Sequence, residues 1–431
     1  MDFICEAFDQ MQRAFDLNGF NDHQLHCVLR FDSGAAPDAA ILRRAVIASI
    51  EAIPILGTRY ADGAKPRWVR LDPESCARGF VVAPTETDFE AVLVARADED
   101  CGPQVRVCLF DGRRSAVALT LNHMICDAAG FKSYIYFLCA IYTRLLTDPV
   151  YRPNPVAGDR SMRPVLERFP LSVKLKSLFL QSGDNNQSGD RRFPMSEGEV
   201  DEPFILTRRL ARARTAAIRD YGRAHGATLN DLALTALYRC LFRLMDLRPG
   251  AELMIPVMVD MRRYLADSDE FTALTNLSST VVTKLRREPE EAFPGTLGRV
   301  KAEMDERKGA DIGLNAFVKL DLLYRLCGDR IANRKLRTGL KNPLICMTNI
   351  GVLDAARLSF GDLSPTDAYL CGSIKYKPYF QLAMSSYQDE LTLSVNLYGS
   401  LSDRALILSF LEDIDAELPR ETPSAHAPER A

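Results

Sequence analysis

The alternation of apolar and polar positions over the first hundred residues predicts strands and helices that follow one another. Apolar residues fill most of positions 25–31, and the stretch 38–52 carries them at helical spacing and ends before Pro54. These patterns predict a strand and then a helix. Two further strands are predicted at 90–96 and 104–110. Strands that alternate with helices are typical of an α/β fold.

The pattern changes abruptly after the apolar stretch 115–121. Positions 122–127 are mixed in character, and beyond them apolar residues recur at helical spacing. The apolar positions of this second stretch are Phe131, Tyr134, Ile135, Leu138, Ile141 and Leu145. The sequence therefore predicts a strand, a short loop and a long amphipathic helix.

The second half of the chain repeats this mixture of strands and helices. A helix is predicted to end near His225 and Gly226, because glycine suits the left-handed position after a helix. Thr228 or Asn230 is the predicted cap of the next helix. The predicted helices are 229–247 and 403–418, and the predicted strands are 204–210, 253–260, 276–284, 343–347, 381–387 and 391–398.

The length of 431 residues exceeds what one hydrophobic core usually supports, so two packed halves are expected. Between residues 181 and 203 the composition shifts to Ser, Gly, Asp, Asn, Gln and Pro, which predicts a flexible crossover. The two halves are then 1–180 and 204–418. The stretch 419–431 is rich in Pro and Ala and is predicted to be a disordered tail.

A net charge of -3 argues against nucleic acid as a partner, because nucleic-acid binders present excess positive charge to the phosphates. The first residues lack the basic segment and apolar run of a secretory signal, and no apolar stretch of about 18 residues occurs. We therefore expect a cytoplasmic protein without a transmembrane segment. The 11 cysteines include no CxxC pair, which favours free thiols over a disulfide framework.

Among the five histidines, only His123 lies where a predicted strand gives way to a loop. Rigid neighbours can hold a catalytic group at such a place. A neutral imidazole, with an ordinary pKa of about 6.5, can accept the proton of an alcohol, amine or thiol that attacks a carbonyl. A partly buried structural histidine is the alternative. Asp127, four residues later, fits either a role in the loop or a plain helix N-cap.

Together these residues form the segment Asn122-His123-Met124-Ile125-Cys126-Asp127-Ala128-Ala129-Gly130. It resembles the His-x-x-x-Asp-Gly signature of the chloramphenicol acetyltransferase-like superfamily, which includes condensation domains and the BAHD, polyketide-associated and alcohol acyltransferases. The resemblance implies that His123 is a general base and that Asp127 anchors the loop through a salt bridge to a distant arginine. Two positions depart from the signature. Asn122 stands where condensation domains have a second histidine, and two alanines separate Asp127 from Gly130.

Order and spacing extend this resemblance along the chain. The stretch 227–234 looks like the Thr-x-Asn-Asp helix start of the family, and 256–263 resembles the strand whose arginine meets the loop aspartate. Arg262 is the predicted partner of Asp127, and Arg263 is the second choice. A guanidinium that binds a buried carboxylate with both nitrogens would fix the loop without titrating. Without the family, Arg262 would be interpreted as a surface charge at the end of a strand.

Thr348 and Asn349 lie where related enzymes carry a Ser/Thr-Asn segment near the active-site channel. The resemblance implies hydrogen bonds from these residues to the substrate or to the oxyanion of a tetrahedral intermediate. A polar turn that ends a strand is an equally good interpretation of the pair.

Other chemistries find less support in the sequence. Cys126 as a thiol nucleophile would need a third group to orient His123, and none is indicated. The Gly-x-Ser-x-Gly elbow of serine hydrolases, clustered metal ligands and the phosphate-binding glycine loops are all missing. We therefore expect no bound metal or cofactor.

The resemblance implies an α/β fold of two similar halves, each a mixed sheet with flanking helices, around a shared active-site channel. It also implies acyl transfer from an acyl-coenzyme A thioester to the hydroxyl or amine of a small molecule. A stand-alone condensation enzyme that uses acyl-phosphopantetheine on an acyl carrier protein is one alternative. An inactive member that only binds a ligand is another. The sequence leaves open the acyl chain length, the acceptor, the choice between ester and amide, and the oligomeric state.

Overall fold

The computed structural model describes residues 2–179, 191–265, 271–307, 309 and 311–420. Two mixed sheets and one small antiparallel sheet form its framework. The strands are β1 Phe3–Ile4, β2 Gln24–Arg30, β3 Thr58–Ala61, β4 Arg67–Arg70, β5 Phe80–Ala83, β6 Val105–Phe110, β7 Ala116–Asn122, β8 Glu202–Leu210, β9 Glu252–Asp260, β10 Ser278–Arg286, β11 Ile345–Leu353, β12 Asp367–Cys371, β13 Phe380–Tyr387 and β14 Glu390–Gly399.

The α-helices flank these sheets. They are α1 Ala7–Leu17, α2 Ala39–Ala52, α3 Pro73–Ala77, α4 Glu86–Val94, α5 Ala128–Thr147, α6 Arg163–Leu166, α7 Leu171–Phe179, α8 Arg212–Ala224, α9 Leu229–Leu244, α10 Phe293–Arg307, α11 Leu314–Gly339 and α12 Leu401–Glu417. Short 3-10 helices occupy Pro54–Gly57, Met261–Tyr264 and Ala355–Arg357.

The first sheet has the strand order β12-β2-β7-β6-β5. Its β5 and β6 run parallel and the other neighbours run antiparallel. Helices α2 and α5 pack against each other, and their apolar faces share one hydrophobic core with this sheet. The edge strand β12 comes from far along the chain and pairs Asp367 to Cys371 with Arg30 to His26 of β2.

The second sheet has the order β10-β9-β11-β13-β14-β8, in which β11 is parallel to both neighbours. Helices α9, α10 and α12 cover it and build a separate hydrophobic core. Each main sheet is therefore mixed and has flanking helices. The predicted fold class is confirmed.

The predicted crossover at 181–203 is described only from residue 191 onward. There Phe193 is 1% exposed and stacks on Phe380 with 4.2 Å between ring centroids. Ser196 donates its backbone N–H to Asp403 Oδ1 at 2.7 Å. Of the predicted tail at 419–431, residues 421–431 lie outside the described part of the chain.

One predicted strand is wrong. The stretch 90–96 belongs largely to the helix α4, which Thr85 caps by accepting the N–H of Asp88 at 3.1 Å. Phe89 and Leu93 are both buried and lie four residues apart, which places them on one face of a helix. A second difference concerns β11, which was predicted to end at residue 347 and continues to Leu353.

Candidate active site

A cavity of about 730 Å³ is lined by residues of both main sheets and their helices. Leu25 and His123 line it from the first sheet and its loop. Met258, Ser279 and Thr348 line it from the second. A molecule inside the cavity would therefore touch both halves of the fold.

The loop between β7 and α5 carries His123 to this cavity. Asn122, the last residue of β7, accepts the N–H of Met124 on its Oδ1 at 2.8 Å. Its Nδ2 donates to Gln104 Oε1 at 2.6 Å. The backbone N–H of His123 donates to the carbonyl of His23 at 2.7 Å. These bonds end the strand sharply and fix the turn.

The ring of His123 is held in one tautomer. Its Nδ1 lies 2.8 Å from the carbonyl oxygen of Cys126. Because a carbonyl can only accept, Nδ1 carries the proton and Nε2 has a free lone pair. Within the described part of the chain, Nε2 has no hydrogen-bond partner, and the half-buried ring lines the cavity. The arrangement leaves a proton acceptor facing the cavity.

The electrostatic surroundings keep this ring neutral. Burial lowers the pKa of His123 below its ordinary value of 6.5, and the positive charge of Lys375 lowers it further. The negative charge of Asp127 acts in the opposite direction without reversing the shift. A neutral imidazole is the form that can accept a proton.

Asp127 is the N-cap of α5 and is buried, with 1% of its surface exposed. Its Oδ1 accepts the N–H of Gly130 at 2.9 Å, and its Oδ2 accepts the N–H of Leu277 at 2.7 Å. Burial alone would raise the pKa of this carboxyl. The charge and hydrogen bond of Arg262 and these two N–H groups outweigh burial and lower the pKa below its ordinary value.

Arg262 lies in the 3-10 helix that follows β9 and approaches Asp127 from the second half of the chain. Its Nη1 is 2.8 Å from Asp127 Oδ2 and 3.1 Å from Asp260 Oδ1. Its Nη2 donates instead to the carbonyl of Thr275 at 2.8 Å. One terminal nitrogen of the guanidinium therefore bonds to two carboxylates and the other to a carbonyl, whereas we expected both nitrogens to bond to Asp127.

Asn276 also supports the loop from the second half of the chain. Its Nδ2 donates to the carbonyl of His123 at 2.8 Å and to that of Met124 at 2.9 Å. Arg160 donates to the carbonyl of Ile125 at 3.3 Å and pairs with Asp9 at 2.9 Å. Side chains distant in sequence thus satisfy three successive loop carbonyls.

Gly130 allows the close approach of these segments. A Cβ at this position would lie 3.1 Å from Cys126 Cβ and 3.4 Å from the carbonyl of Thr275. The first distance is shorter than ordinary van der Waals contact. The glycine therefore gives α5 and the segment before β10 room to pack together.

One group among the described residues has donor atoms close enough together to hold a metal ion, namely Asp16, His23 and Glu99. Arg96 already pairs with Asp16 at 2.7 Å, and Arg13 pairs with Glu99 at 2.8 Å. The two ring nitrogens of His23 face different carboxylates, at 3.6 and 3.4 Å. Two guanidinium groups next to these carboxylates make the group an ion-pair network, since they would repel a bound cation.

The comparison of this structure with solved structures found several similar folds. Polyketide synthase associated protein 5 from Mycobacterium tuberculosis is 16% identical, with a TM-score of 0.67 over 97% of this chain and 98% of that one. The trichothecene 15-O-acetyltransferase from Fusarium sporotrichioides is 12% identical, with a TM-score of 0.69 over 97% and 95%. The first condensation domain of the calcium-dependent antibiotic synthetase is 17% identical, with a TM-score of 0.67 over 98% of each chain. No protein-family model and no curated protein sequence matches.

The chain has the fold of condensation domains. The similarity extends over nearly the whole length of both chains, so it concerns both sheets and not one half alone. The fold implied by the resemblance of the His-x-x-x-Asp segment is therefore confirmed.

Within this condensation-domain fold, the side chains of Thr348 and Asn349 point to opposite faces of β11. Thr348 lines the cavity. Asn349 is exposed, and its Oδ1 accepts the N–H of Gly351 at 2.9 Å, next to a bulge in the pairing of β11 with β13. Successive side chains of a strand point to opposite faces, so only one of the pair can face the cavity. Arg263 is exposed and lies over the ring of Tyr264.

Sequence reasoning missed three residues of this site, Asn276, Arg160 and Lys375. Asn276 had been placed at the start of a predicted strand, and Arg160 and Lys375 lie in segments where no element was predicted. No apolar pattern marks these positions, because their contacts join segments that are far apart in the chain.

Among the described residues, no helix is long and apolar enough to cross a membrane.

Proposed function

We propose that this chain is an acyltransferase in which His123 is the general base. The observation that carries the proposal is the orientation of the imidazole, whose Nδ1–H bonds to the Cys126 carbonyl while its Nε2 is left free at the cavity. The fold supports it as well, since the similar structures include an acetyltransferase and condensation domains. The donor is an acyl-coenzyme A thioester, and the acceptor is the hydroxyl or amine of a small molecule.

The proposed reaction takes place in one complex of both substrates. Nε2 of His123 removes the proton from the hydroxyl or amine of the acceptor. At the same time, the oxygen or nitrogen of the acceptor forms a bond to the carbonyl carbon of the thioester. The hydroxyl of Thr348 donates a hydrogen bond to the oxyanion that forms. The carbon–sulfur bond then breaks, and the imidazolium returns its proton to the leaving thiolate. Holding both substrates in one cavity removes the need for a covalent acyl-enzyme.

In this proposal, Asp127 and Arg262 act on the geometry of the loop and do not contact the substrate. Their ion pair, with Asn122 and Gly130 at the two ends of the loop, keeps the imidazole in position. A separate acyl carrier protein as donor is the second candidate. It is favoured by the similarity to condensation domains of synthetases, and it would place phosphopantetheine where coenzyme A is proposed to bind.

The test measures thiol release from a panel of acyl-coenzyme A donors with candidate alcohols and amines. We expect His123→Ala to be slower than the wild type by about 100- to 10,000-fold. His225→Ala is the matched control, because His225 stacks on Tyr221 on the second half of the chain and does not line the cavity. An equal rate in wild type and His123→Ala would reject the assigned base.

Two further outcomes separate the alternatives. Turnover of acyl-carrier donors where every coenzyme A ester fails would favour the condensation enzyme. Tight binding of ligands without turnover of any donor and acceptor pair would favour a protein that only binds.

A further inference from the structure

Lys375 presents an ammonium group to the cavity that His123 lines. Only 7% of its surface is exposed. Within the described ranges, no carboxylate oxygen lies within 4.0 Å of its Nζ, and no hydrogen bond of that ammonium is found. A charged side chain that is largely buried, and whose ammonium has no partner among the described residues, is costly unless a group in the cavity binds it.

The backbone around Lys375 is fixed from both sides. Isolated β-bridges pair it with Asn21 and with Leu397. Its N–H donates to the carbonyl of Asn396 at 3.1 Å, and its own carbonyl accepts from Tyr398 at 2.8 Å. The backbone of Lys375 is therefore held in a fixed position. A preorganised binding site requires such support for its binding groups.

The carboxylate whose charge acts on Lys375 is that of Asp22, and among the described residues only one of its two oxygens is hydrogen-bonded, since its Oδ2 has no partner. Asp22 is fully buried, and its Oδ1 accepts the N–H of Ile374 at 3.0 Å and that of Gln24 at 3.2 Å. Burial lowers the pKa of Lys375, and the negative charge of Asp22 opposes this without reversing it. The protein alone therefore leaves the ammonium under-compensated, and an anion in the cavity would stabilise it.

A second polar group without a partner lies beside this lysine in the chain. Ser373 is 4% exposed, and none of the residues that the structure describes is a hydrogen-bond partner of its Oγ. Both residues line the cavity. A hydroxyl and an ammonium supply two donors, and a carboxylate has two oxygens that can each accept from one of them.

We propose that Lys375 and Ser373 form a subsite that binds a carboxylate group of the substrate. The statement that the ligand is a substrate rests on the proposed acyl transfer, whereas the binding of a carboxylate does not. The carboxylate belongs either to the acceptor or to the acyl chain of the donor.

The charge balance favours a carboxylate over a phosphate dianion. Lys375 supplies one positive charge to this part of the cavity. The other cations among the described lining residues, Arg307 and Lys341, both have partners, and Arg307 is paired with Glu303 at 3.0 Å. A single ammonium and a neutral hydroxyl balance a single negative charge.

The experiment measures binding by calorimetry at pH 7, without turnover. One arm compares 3-hydroxydecanoate with its methyl ester, as probes for a carboxylate on the acceptor. The other arm compares succinyl-coenzyme A with butyryl-coenzyme A, as probes for a carboxylate on the acyl chain. We expect the acid of one arm to bind about 10- to 100-fold more tightly than its uncharged counterpart, as for hydrogen bonds to charged groups.

Variants of Lys375 and Ser373 then test whether these two residues cause the preference for the acid. Lys375→Met should abolish the preference for the acid, Lys375→Arg should keep most of it, and Ser373→Ala should weaken it by a few fold. Lys65→Met is the control, because Lys65 is an exposed lysine outside the cavity. Thermal melting of each variant verifies that it is folded.

Two outcomes would overturn the subsite. One is equal binding of the acids and their uncharged counterparts in both arms, and the other is a preference for the acid that persists in Lys375→Met. His123→Ala should retain the binding preference, so a failure of the proposed acyl transfer would leave this test intact.

Discussion

Arg262 Nη1 lies 2.8 Å from Asp127 Oδ2, although 135 positions separate the two residues in the chain. Asp127 begins the helix that follows the first sheet's β7, and Arg262 follows β9 of the second sheet. The ion pair therefore joins the two halves directly behind the loop that carries His123.

Replacing Arg262 by Ala should destabilise the protein, because it leaves the buried carboxylate of Asp127 without its counter-charge. We expect a loss of about 3 kcal/mol in the free energy of unfolding, near the lower end for such pairs because the arginine is partly exposed. Chemical denaturation measures it. In the double variant Arg262→Ala with Asp127→Asn, the loss should be smaller than the sum of the two single losses. Additive losses would contradict a direct coupling.

The lowered pKa of Asp127 predicts how stability depends on pH. A group whose pKa is lower in the folded state stabilises that state above its unfolded pKa, here about 3.8, and the contribution is lost as pH falls through the folded pKa. The difference in unfolding free energy between wild type and Asp127→Asn should therefore be constant near neutral pH and shrink below about pH 4. A difference that stays constant down to pH 2 would refute this.

The pKa of His123 should rise when Lys375 is replaced by Met. The positive charge of Lys375 disfavours the imidazolium, so removing that charge makes protonation easier. NMR titration of the ring protons measures the shift, with the signal of His123 assigned from its absence in His123→Ala. Lys65→Met, which replaces an exposed lysine outside the cavity, is the control and should leave the titration of His123 as it is in the wild type. In the Lys375→Met variant the acidic limb of the pH–rate profile should move to higher pH.

Asn276→Asp should weaken the loop more than its small change in shape suggests. The carboxylate cannot donate to the carbonyls of His123 and Met124, which Nδ2 now binds at 2.8 and 2.9 Å. The two carbonyl oxygens would then lie next to the buried negative charge of the new carboxylate. We expect a loss of about 2 to 3 kcal/mol in the free energy of unfolding, with Asn276→Ala nearer 1 to 2 kcal/mol. Equal losses would contradict this order.

Thr348→Val should lower kcat by about 100-fold, since it removes the hydroxyl proposed to bind the oxyanion. Asn349→Ala is a matched control on the same strand, because the Asn349 side chain is exposed and bonds to Gly351 outside the cavity. Steady-state kinetics with a donor that the wild type turns over measures both variants. A larger effect of Asn349→Ala than of Thr348→Val would reject the assignment.

The sequence predicted best those parts of the fold that depend on local patterns. The strand, loop and helix around His123 follow from apolar periodicity, and the structure places β7 and α5 on either side of that loop. The predicted strand at 90–96 failed because a short apolar stretch does not distinguish a strand from a helix. The cap at Thr85 and the four-residue spacing of Phe89 and Leu93 show that this stretch belongs to a helix.

The site was less accessible to sequence reasoning, for a physical reason. Arg262 could be named only through a family resemblance, because spacing alone does not connect it with Asp127. No family resemblance and no sequence pattern pointed to Asn276 or Lys375. The burial of Lys375 depends on three segments, around residues 21, 375 and 397, that meet only in the folded chain.

The strand β12 has a consequence for how the polypeptide can be divided. Residues 367–371 complete the first sheet by pairing with β2. A fragment ending near residue 179 would keep β2, β5, β6 and β7 but would expose the backbone N–H and C=O groups along one side of β2. Unprotected strands of this kind associate with other chains. Truncation at the predicted crossover, residues 181–203, should therefore yield an N-terminal fragment that aggregates. Adding the remaining polypeptide in trans should restore its solubility.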